Sequence, residues 1–307
     1  MKKFFFMLFV LSMMVVLTAC GTDADSNDET GSDASGQEGD EEALMMGFVP
    51  SRDAEKIATE VEPLEERLSE VLGREVQAEV MTNYAGLIEA MRTGRVDIGF
   101  LAPFNYVQAE DRANVELILK SERHGSVTYR AQYNVRAELD HIQSVEDLVE
   151  EEGLVWAFSD YGSTSGYLYP AAQLMDLGIE DMQSHFELIQ TSGHDAALVA
   201  LMNGDADVAT TFEDARTLLE EDYPDVMERI NVIDHTADIP NDTISVREGL
   251  DPELVEEIKQ AFLSFNEDED MMQVMNEVYD WTGIVEAHPE DYDIVRETLE
   301  KLEELDS

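Results

Sequence analysis

The sequence predicts an α/β protein of two lobes, each a mostly parallel sheet covered by helices, with a hinge between them. Three observations predict it. From residue 44 onward, short apolar runs alternate with amphipathic stretches, the β-α-β-α order that builds parallel sheets. The alternation restarts near residue 145 and repeats a local signature. The C-terminal part then changes to strand-like segments and helices that return the chain to its first half. With 307 residues, the chain is long enough for two such cores.

The chain opens with Lys2, Lys3, an almost unbroken apolar run over residues 4–17, and Leu17-Thr18-Ala19-Cys20. A positive start, an apolar stretch and small residues at a cut are the order of an export signal. The run is too short for a permanent membrane-spanning helix. It resembles a bacterial lipoprotein signal. Residues 1–19 are therefore expected to be removed and lipid attached to the thiol of Cys20, the chain's one cysteine. The expected location is the extracytoplasmic face of the cell membrane, on the periplasmic side where there is an outer membrane. A single cysteine rules out an intrachain disulfide and a thiolate metal cluster. Residues 20–43 hold Gly, Ser, Asp and Glu with no basic residue, and read as a disordered linker.

The first lobe is expected over 44–136 plus 240–307, including the C-terminal helices. Residues 44–49 form a short apolar run ended by Pro50 and read as a buried strand. Ile57, Val61, Leu64, Leu68 and Leu72 recur at helical spacing, which predicts one amphipathic helix over 54–72, stopped by Gly73. A strand at 76–80, a helix at 86–93 and a strand at 96–101 follow. Further strands fit 115–119 and 128–135. In the second lobe, expected over 137–239, helices at 145–150, 166–175 and 195–202 alternate with strands at 155–158, 186–189 and 208–211. Residues 230–233 read as a strand, Ile239-Pro240 as a break, and 243–246 as another strand. Helices over 251–264, 268–280 and 289–304 complete the chain, with Pro252 and Pro289 suited to helix entry. Two crossings between lobes make a hinge, and a hinge turns two sheet edges into a cleft that closes.

The repeated signature sharpens the expectation. Residues 82–99 read TNYAGLIEAMRTGRVDIG and residues 192–209 read SGHDAALVALMNGDADVA. Each has a polar loop, a helix, a glycine, and an aspartate three residues later: Gly94 with Asp97, Gly204 with Asp207. Tyr84 falls opposite His194. Both loops belong at the carboxyl ends of strands, where open α/β sheets bind ligands.

Charge limits the partners. With 69 acidic and 19 basic residues the net charge is -50, which repels nucleic acid and anionic membrane surfaces. The acidity fits the surface of a halophile or alkaliphile. Gly162-Ser163-Thr164-Ser165-Gly166, before the helix-like YLYPAAQLM, brings three hydroxyls and free backbone N–H groups to a helix start. That suits a tetrahedral oxyanion, and the same residues also make an ordinary helix cap. His194 reads as an anion donor, a base or a core histidine. Tyr84 and Tyr129 read as a ligand wall with donating hydroxyls, or as packing.

Enzymatic readings fit less well. Thr164 centres the 162–166 window, so it is not a G-x-S-x-G nucleophile elbow, although Ser165, His194 and an acid leave a serine hydrolase as an alternative. The six histidines contain no H-E-x-x-H pair, and NEDED at 266–270 lacks a complete calcium loop, so no metal is expected. No G-x-x-x-x-G-K-S/T phosphate loop occurs.

The order and separation of NYAGLIEAMRTGRVDIGFLAPFNY, EDRAN, STSGYLYP, SGHDAALVALMNGDADVAT and IPNDTISVR resemble the phosphonate-binding proteins of ABC importers, within the phosphate/phosphite/phosphonate-binding family. The resemblance runs from about residue 44 to 247. It implies lobes of the type II periplasmic-binding-protein fold, no catalysis and no cofactor. It implies that Ser163, Thr164, Ser165, His194, Tyr84 and Tyr129 hold the anionic head of a small phosphonate. Members that take 2-aminoethylphosphonate bind its ammonium with carboxylates. Asp242 matches one, and the other falls on Asp214, with Glu213 as the alternative. Thr211 and Phe212 replace the family's asparagines. The implied partners are an ABC permease and a separate ATPase, reached after closure of the cleft. A sensory role for the same cleft, and phosphate or phosphite as ligand, stay open.

Overall fold

A computed structural model describes residues 42–305; the expected signal, Cys20 and the linker up to residue 41 lie outside the described residues. The first lobe begins with β1 (Leu44–Phe48), α1 (Ala54–Glu60), α2 (Glu62–Leu72), β2 (Val76–Val80), α3 (Tyr84–Arg92), β3 (Ile98–Leu101), α4 (Pro103–Ala113) and β4 (Glu116–Glu122). β5 (Thr128–Arg136) carries the chain into the second lobe. There follow α5 (Val145–Glu150), β6 (Val155–Phe158), a π-helical turn (Thr164–Leu168), α6 (Tyr169–Asp176), α7 (Met182–His185), β7 (Glu187–Gln190), α8 (His194–Asn203), β8 (Val208–Phe212) and α9 (Val226–Arg229). β9 (Ile230–Pro240) leads back to β10 (Thr243–Val246), α10 (Pro252–Ser264), α11 (Glu269–Tyr279), β11 (Gly283–Glu286) and α12 (Asp293–Leu305).

The strand order is β11-β4-β10-β3-β1-β2 in one sheet and β7-β6-β8-β5-β9 in the other. β1 lies parallel between β2 and β3, and β6 lies parallel between β7 and β8. The parallel order expected from the alternation holds in these parts. Both sheets are nevertheless mixed. β5 enters antiparallel to β8, and β10, just after the return crossing, runs antiparallel to β3 and β4. β5 is hydrogen-bonded in the second sheet, although residues 128–136 fall within the stretch expected for the first lobe.

Helices cover both faces of each sheet, so the central strands are buried on two sides. One core of the first lobe packs Met46, Phe48, Ile98 and Phe100 against Leu64, Leu68, Phe262 and Trp281. Phe48 and Phe100 stack at 4.4 Å between ring centroids, and Trp281 lies 5.7 Å from Phe100. Fully burying an aromatic side chain of this kind contributes about 1.5–3 kcal/mol. In the second lobe, Trp156 and Phe158 face the α5 and α6 side, and Ala157 and Ala209 face α8. α12 packs on α4 of one lobe and α6 of the other, and its Leu302 joins cores of both.

The repeated signature has a structural meaning. In the first lobe, the Asp97 carboxylate accepts from Met45 N–H at 2.8 Å while Asp97 N–H donates to the Met45 carbonyl, also at 2.8 Å. In the second, Asp207 does the same with Val155, at 3.0 and 2.8 Å. Each aspartate is held by an arginine, Arg247 at 2.7 Å and Arg136 at 2.5 Å. The aspartate therefore closes the start of β1 in the first lobe and of β6 in the second, which fixes where that strand delivers its carboxyl end.

Several elements differ from the sequence prediction. The helix expected over 54–72 is two helices, because Pro63 lacks an N–H and its ring clashes with the preceding turn. β9 runs through Ile239 to Pro240 where a break was predicted; it is an edge strand paired with β5 alone, so the missing proline N–H interrupts no ladder. α4 and β11 occupy stretches to which periodicity assigned nothing. Phe104, Asn105, Tyr106, Val107 and Ala109 of α4 are all buried, so the helix shows no one-sided apolar stripe.

Candidate ligand-binding site

The two lobes meet across a cavity of about 660 Å³. Tyr84, Tyr129, Ser163, Thr164, Ser165, His194, Glu213, Asp214 and Asp242 all line it. The nine positions thus converge on one place, from six separate segments of the chain.

Local rules explain how each side chain arrives there. Asn83 caps α3 by accepting from Gly86 N–H at 2.8 Å, which starts the helix at Tyr84. Ser163 caps the π-helical turn, its Oγ accepting from Gly166 N–H at 3.0 Å. The first N–H groups of such a turn have no partner inside the helix and point toward a ligand. Ser163, Thr164 and Ser165 line the cavity and are shielded from bulk water, at 2%, 1% and 3% exposure.

The lobes are in direct contact around the cavity. Thr164 Oγ accepts from Phe104 N–H, in the first turn of α4 of the other lobe, at 3.0 Å. His194 N–H donates to the Ser51 carbonyl at 2.9 Å, and Asp53 N–H donates to the Asp195 carboxylate at 3.2 Å. Two glycines permit this approach. A Cβ on Gly193 would lie 2.8 Å from Arg52 Cα, and one on Gly162 would lie 2.9 Å from Tyr84 Cβ. The cleft is shut by backbone contact as well as by side chains.

His194 stands 3.4 Å from Ser163 Oγ through Nε2 and packs edge-on against Phe212 at 5.0 Å. Burial, assisted by the charge of Arg123, lowers its pKa to about 3. The ring is therefore neutral near pH 7. Burial pushes the hydroxyls of Tyr84 and Tyr129 far above their ordinary value, so both stay protonated and able to donate. The anion-facing wall is a set of neutral donors.

The carboxylates are not equivalent. Asp242 is engaged: Arg123 Nη2 lies 2.6 Å from its Oδ2, and the two side chains are only 14% and 17% exposed. Burial raises the Asp242 pKa, opposed by Arg123 and Trp281. Glu213 is hydrogen-bonded to Arg130. Asp214 sits exposed at the rim, in a left-handed conformation at φ 63°, with its N–H donating to Gln132.

Sequence reasoning missed Arg123, Arg130, Tyr279 and Trp281, which also line the cavity. Tyr279 and Trp281 come from the end of α11 and the chain just after it, far from any motif. For the arginines a weak signal existed: Lys120, Arg123 and Arg130 crowd into 120–130 in a chain with only 19 basic residues.

Residues 46–292 match the family described as ABC transporter, phosphonate, periplasmic substrate-binding protein. The chain belongs to this family. It is 28% identical over 280 residues to the phosphate-import protein PhnD of Mycolicibacterium smegmatis, covering 84% of this chain and 85% of that one. It is 26% identical over 227 residues to the phosphonates-binding periplasmic protein of Escherichia coli, covering 73% and 67%. The fold is that of a binding-protein component of an ABC phosphonate transporter from Pseudomonas aeruginosa, with a TM-score of 0.79, 23% identity, and coverage of 86% and 87%. The type II periplasmic-binding fold and the role of solute-binding protein for a phosphonate- or phosphate-type ligand follow. Among the described residues, no helix is long and apolar enough to cross a membrane.

Proposed function

We propose that this solute-binding protein delivers a phosphonate to an ABC permease served by a separate ATPase, and that its ligand carries an ammonium, as 2-aminoethylphosphonate does. The observation that carries the reading is the convergence of the buried 163–165 turn, Tyr84, Tyr129 and the neutral His194 on one closed cavity. Preorganised neutral donors replace the hydration shell of an anionic head without adding charge, so the ligand is held and still released. Binding at both lobes stabilises the closed form over the open one. Transport rather than sensing is favoured by the names of the relatives, one importing phosphate and one binding phosphonates in the periplasm.

The ammonium is supported by charge. Glu213, Asp214, Asp238, Asp242, Glu277 and Asp280 line the cavity against Arg52, Arg123 and Arg130. With Asp242 held by Arg123 and Glu213 by Arg130, the ammonium falls to the rim at Asp214, with Glu213 as the alternative. Phosphate or phosphite fits the same anion wall and leaves the rim acids unused. The Cys20 lipid anchor is proposed to keep the protein at the extracytoplasmic membrane face.

Calorimetric titration with 2-aminoethylphosphonate, methylphosphonate, phosphite and phosphate, at matched salt and pH, tests the reading. Saturable binding strongest for the amino ligand is expected. Equal or tighter binding of phosphate overturns the assignment of the ligand.

A further inference from the structure

Arg123 has no part in the donor set described above, and the structure gives it the attributes of a ligand-binding residue. It lies in a two-residue turn, where Arg123 and Ser126 exchange backbone hydrogen bonds of 2.8 and 2.9 Å across His124 and Gly125. Both central residues have positive φ, 49° and 81°, as the tight primed hairpin turn demands. The turn is pinned to the hinge: Asn241 Nδ2 donates to the carbonyls of Ser121 and Ser126 at 3.1 and 2.9 Å. Ser121 N–H donates to the Asp242 carbonyl at 2.9 Å. The backbones of Arg123 and Asp242 are thus locked together before their side chains meet.

The side chain is fixed as firmly. The guanidinium lies over the ring of Tyr129, 5.0 Å from its centroid, while Nη2 binds Asp242. A planar guanidinium held on one edge and one face presents its remaining N–H groups in a set direction. Its Nε is buried and has no acceptor among the described residues. A buried donor of a charged group left without an acceptor is costly, and Arg123 lines the cavity beside Tyr129. Its charge also reaches the anion wall, since it helps to keep His194 neutral.

We infer that Arg123 is a further ligand-binding residue, which gives its charge to the anionic head of the ligand, and that Asp242 orients Arg123 and does not receive the ligand's ammonium. The wall of neutral donors selects the shape of the head, and Arg123 selects its charge. The inference rests on the phosphonate reading above. It deepens that reading by separating the two ends of the ligand: head to the 163–165 turn and Arg123, ammonium to the rim at Glu213 or Asp214.

The test is calorimetry on the full chain with methylphosphonate, which has no ammonium, and 2-aminoethylphosphonate. Arg123→Gln is expected to weaken both ligands about tenfold or more, the scale of a lost charged hydrogen bond. Asp242→Asn is expected to weaken both by similar factors, because it only loosens Arg123. Arg123→Lys is expected to recover part of the loss. The double variant Arg123→Gln/Asp242→Asn leaves no unpaired buried charge, and circular dichroism checks its fold. It is expected to bind methylphosphonate as weakly as Arg123→Gln alone. Wild-type affinity in the double variant overturns the inference, since Arg123 would then serve only to neutralise Asp242. Loss confined to the amino ligand in Asp242→Asn also overturns it. If the wild type binds none of the anions, the phosphonate reading falls and the inference with it; the other two outcomes remove the inference alone.

Discussion

At the scale of residues, the site works by withholding water. The buried imidazole of His194 cannot keep a hydrated proton, and its pKa falls to about 3 from an ordinary 6.5. The sign of the consequence is fixed. Below pH 6.5 the unfolded chain takes up a proton at this residue that the folded chain refuses. Stability from this group is complete above pH 6.5 and is lost as the pH falls toward 3, by up to about 1.4 kcal/mol per pH unit. Thermal melts of His194→Gln between pH 6.5 and 4 are expected to show a shallower acid limb than the wild type. An identical limb contradicts the assignment. At the turn, Ser165→Ala is expected to weaken every ligand that shares the anionic head by about 1 kcal/mol or more, because one neutral donor is lost. Titration with methylphosphonate and phosphate checks it, and an unchanged series rejects the contact. Ser163, Thr164, Ser165 and His194 could be singled out in the sequence because hydroxyls and an imidazole at helix starts carry their own chemistry. Arg123 carried only the weak signal of basic residues crowded into 120–130, since its role depends on Asp242, 119 positions away.

At the scale of elements, the loops that follow the strands do the positioning. The β-α alternation, the two aspartates of the repeated signature and the glycines around the 163–165 turn were legible because each obeys a local rule. The split at Pro63 was equally local and was overridden by a longer apolar period through Leu64, Leu68 and Leu72. α4 and β11 were hidden because burial on most faces, or a four-residue edge, leaves no periodic pattern. The interlobe contacts could not be read at all, since Gly193 against Arg52 and Thr164 against Phe104 exist only once both lobes have folded. They give a prediction. Gly193→Ala puts a methyl group against Arg52 backbone only when the cleft is shut. It is expected to weaken ligand binding by about 1–3 kcal/mol, the cost of overpacking, while each lobe folds as before. Calorimetry with methylphosphonate, set beside circular dichroism of the unliganded protein, checks both halves. Unchanged affinity contradicts closure at this contact.

At the scale of the whole molecule, charge and topology act together. The net charge of -50 makes the folded surface repel itself at low ionic strength. The screening length shrinks from about 10 Å at 0.1 M to about 3 Å at 1 M salt. The melting temperature is therefore expected to rise by several degrees between 0.1 and 1 M sodium chloride, as measured by circular dichroism. A flat or falling trend contradicts the salt-adapted reading. Topology sets the rest. β5 and β9 carry the chain between the lobes side by side, and α12 packs across both, so the lobes are joined through a narrow crossing. The most direct test of capture in that cleft is a crystal structure of the full chain grown with methylphosphonate. The phosphonate oxygens are predicted to lie within hydrogen-bond distance of Ser163, Thr164, Ser165 and His194, between lobes in contact. A phosphonate bound elsewhere, or lobes apart with the 163–165 turn facing only water, contradicts the account.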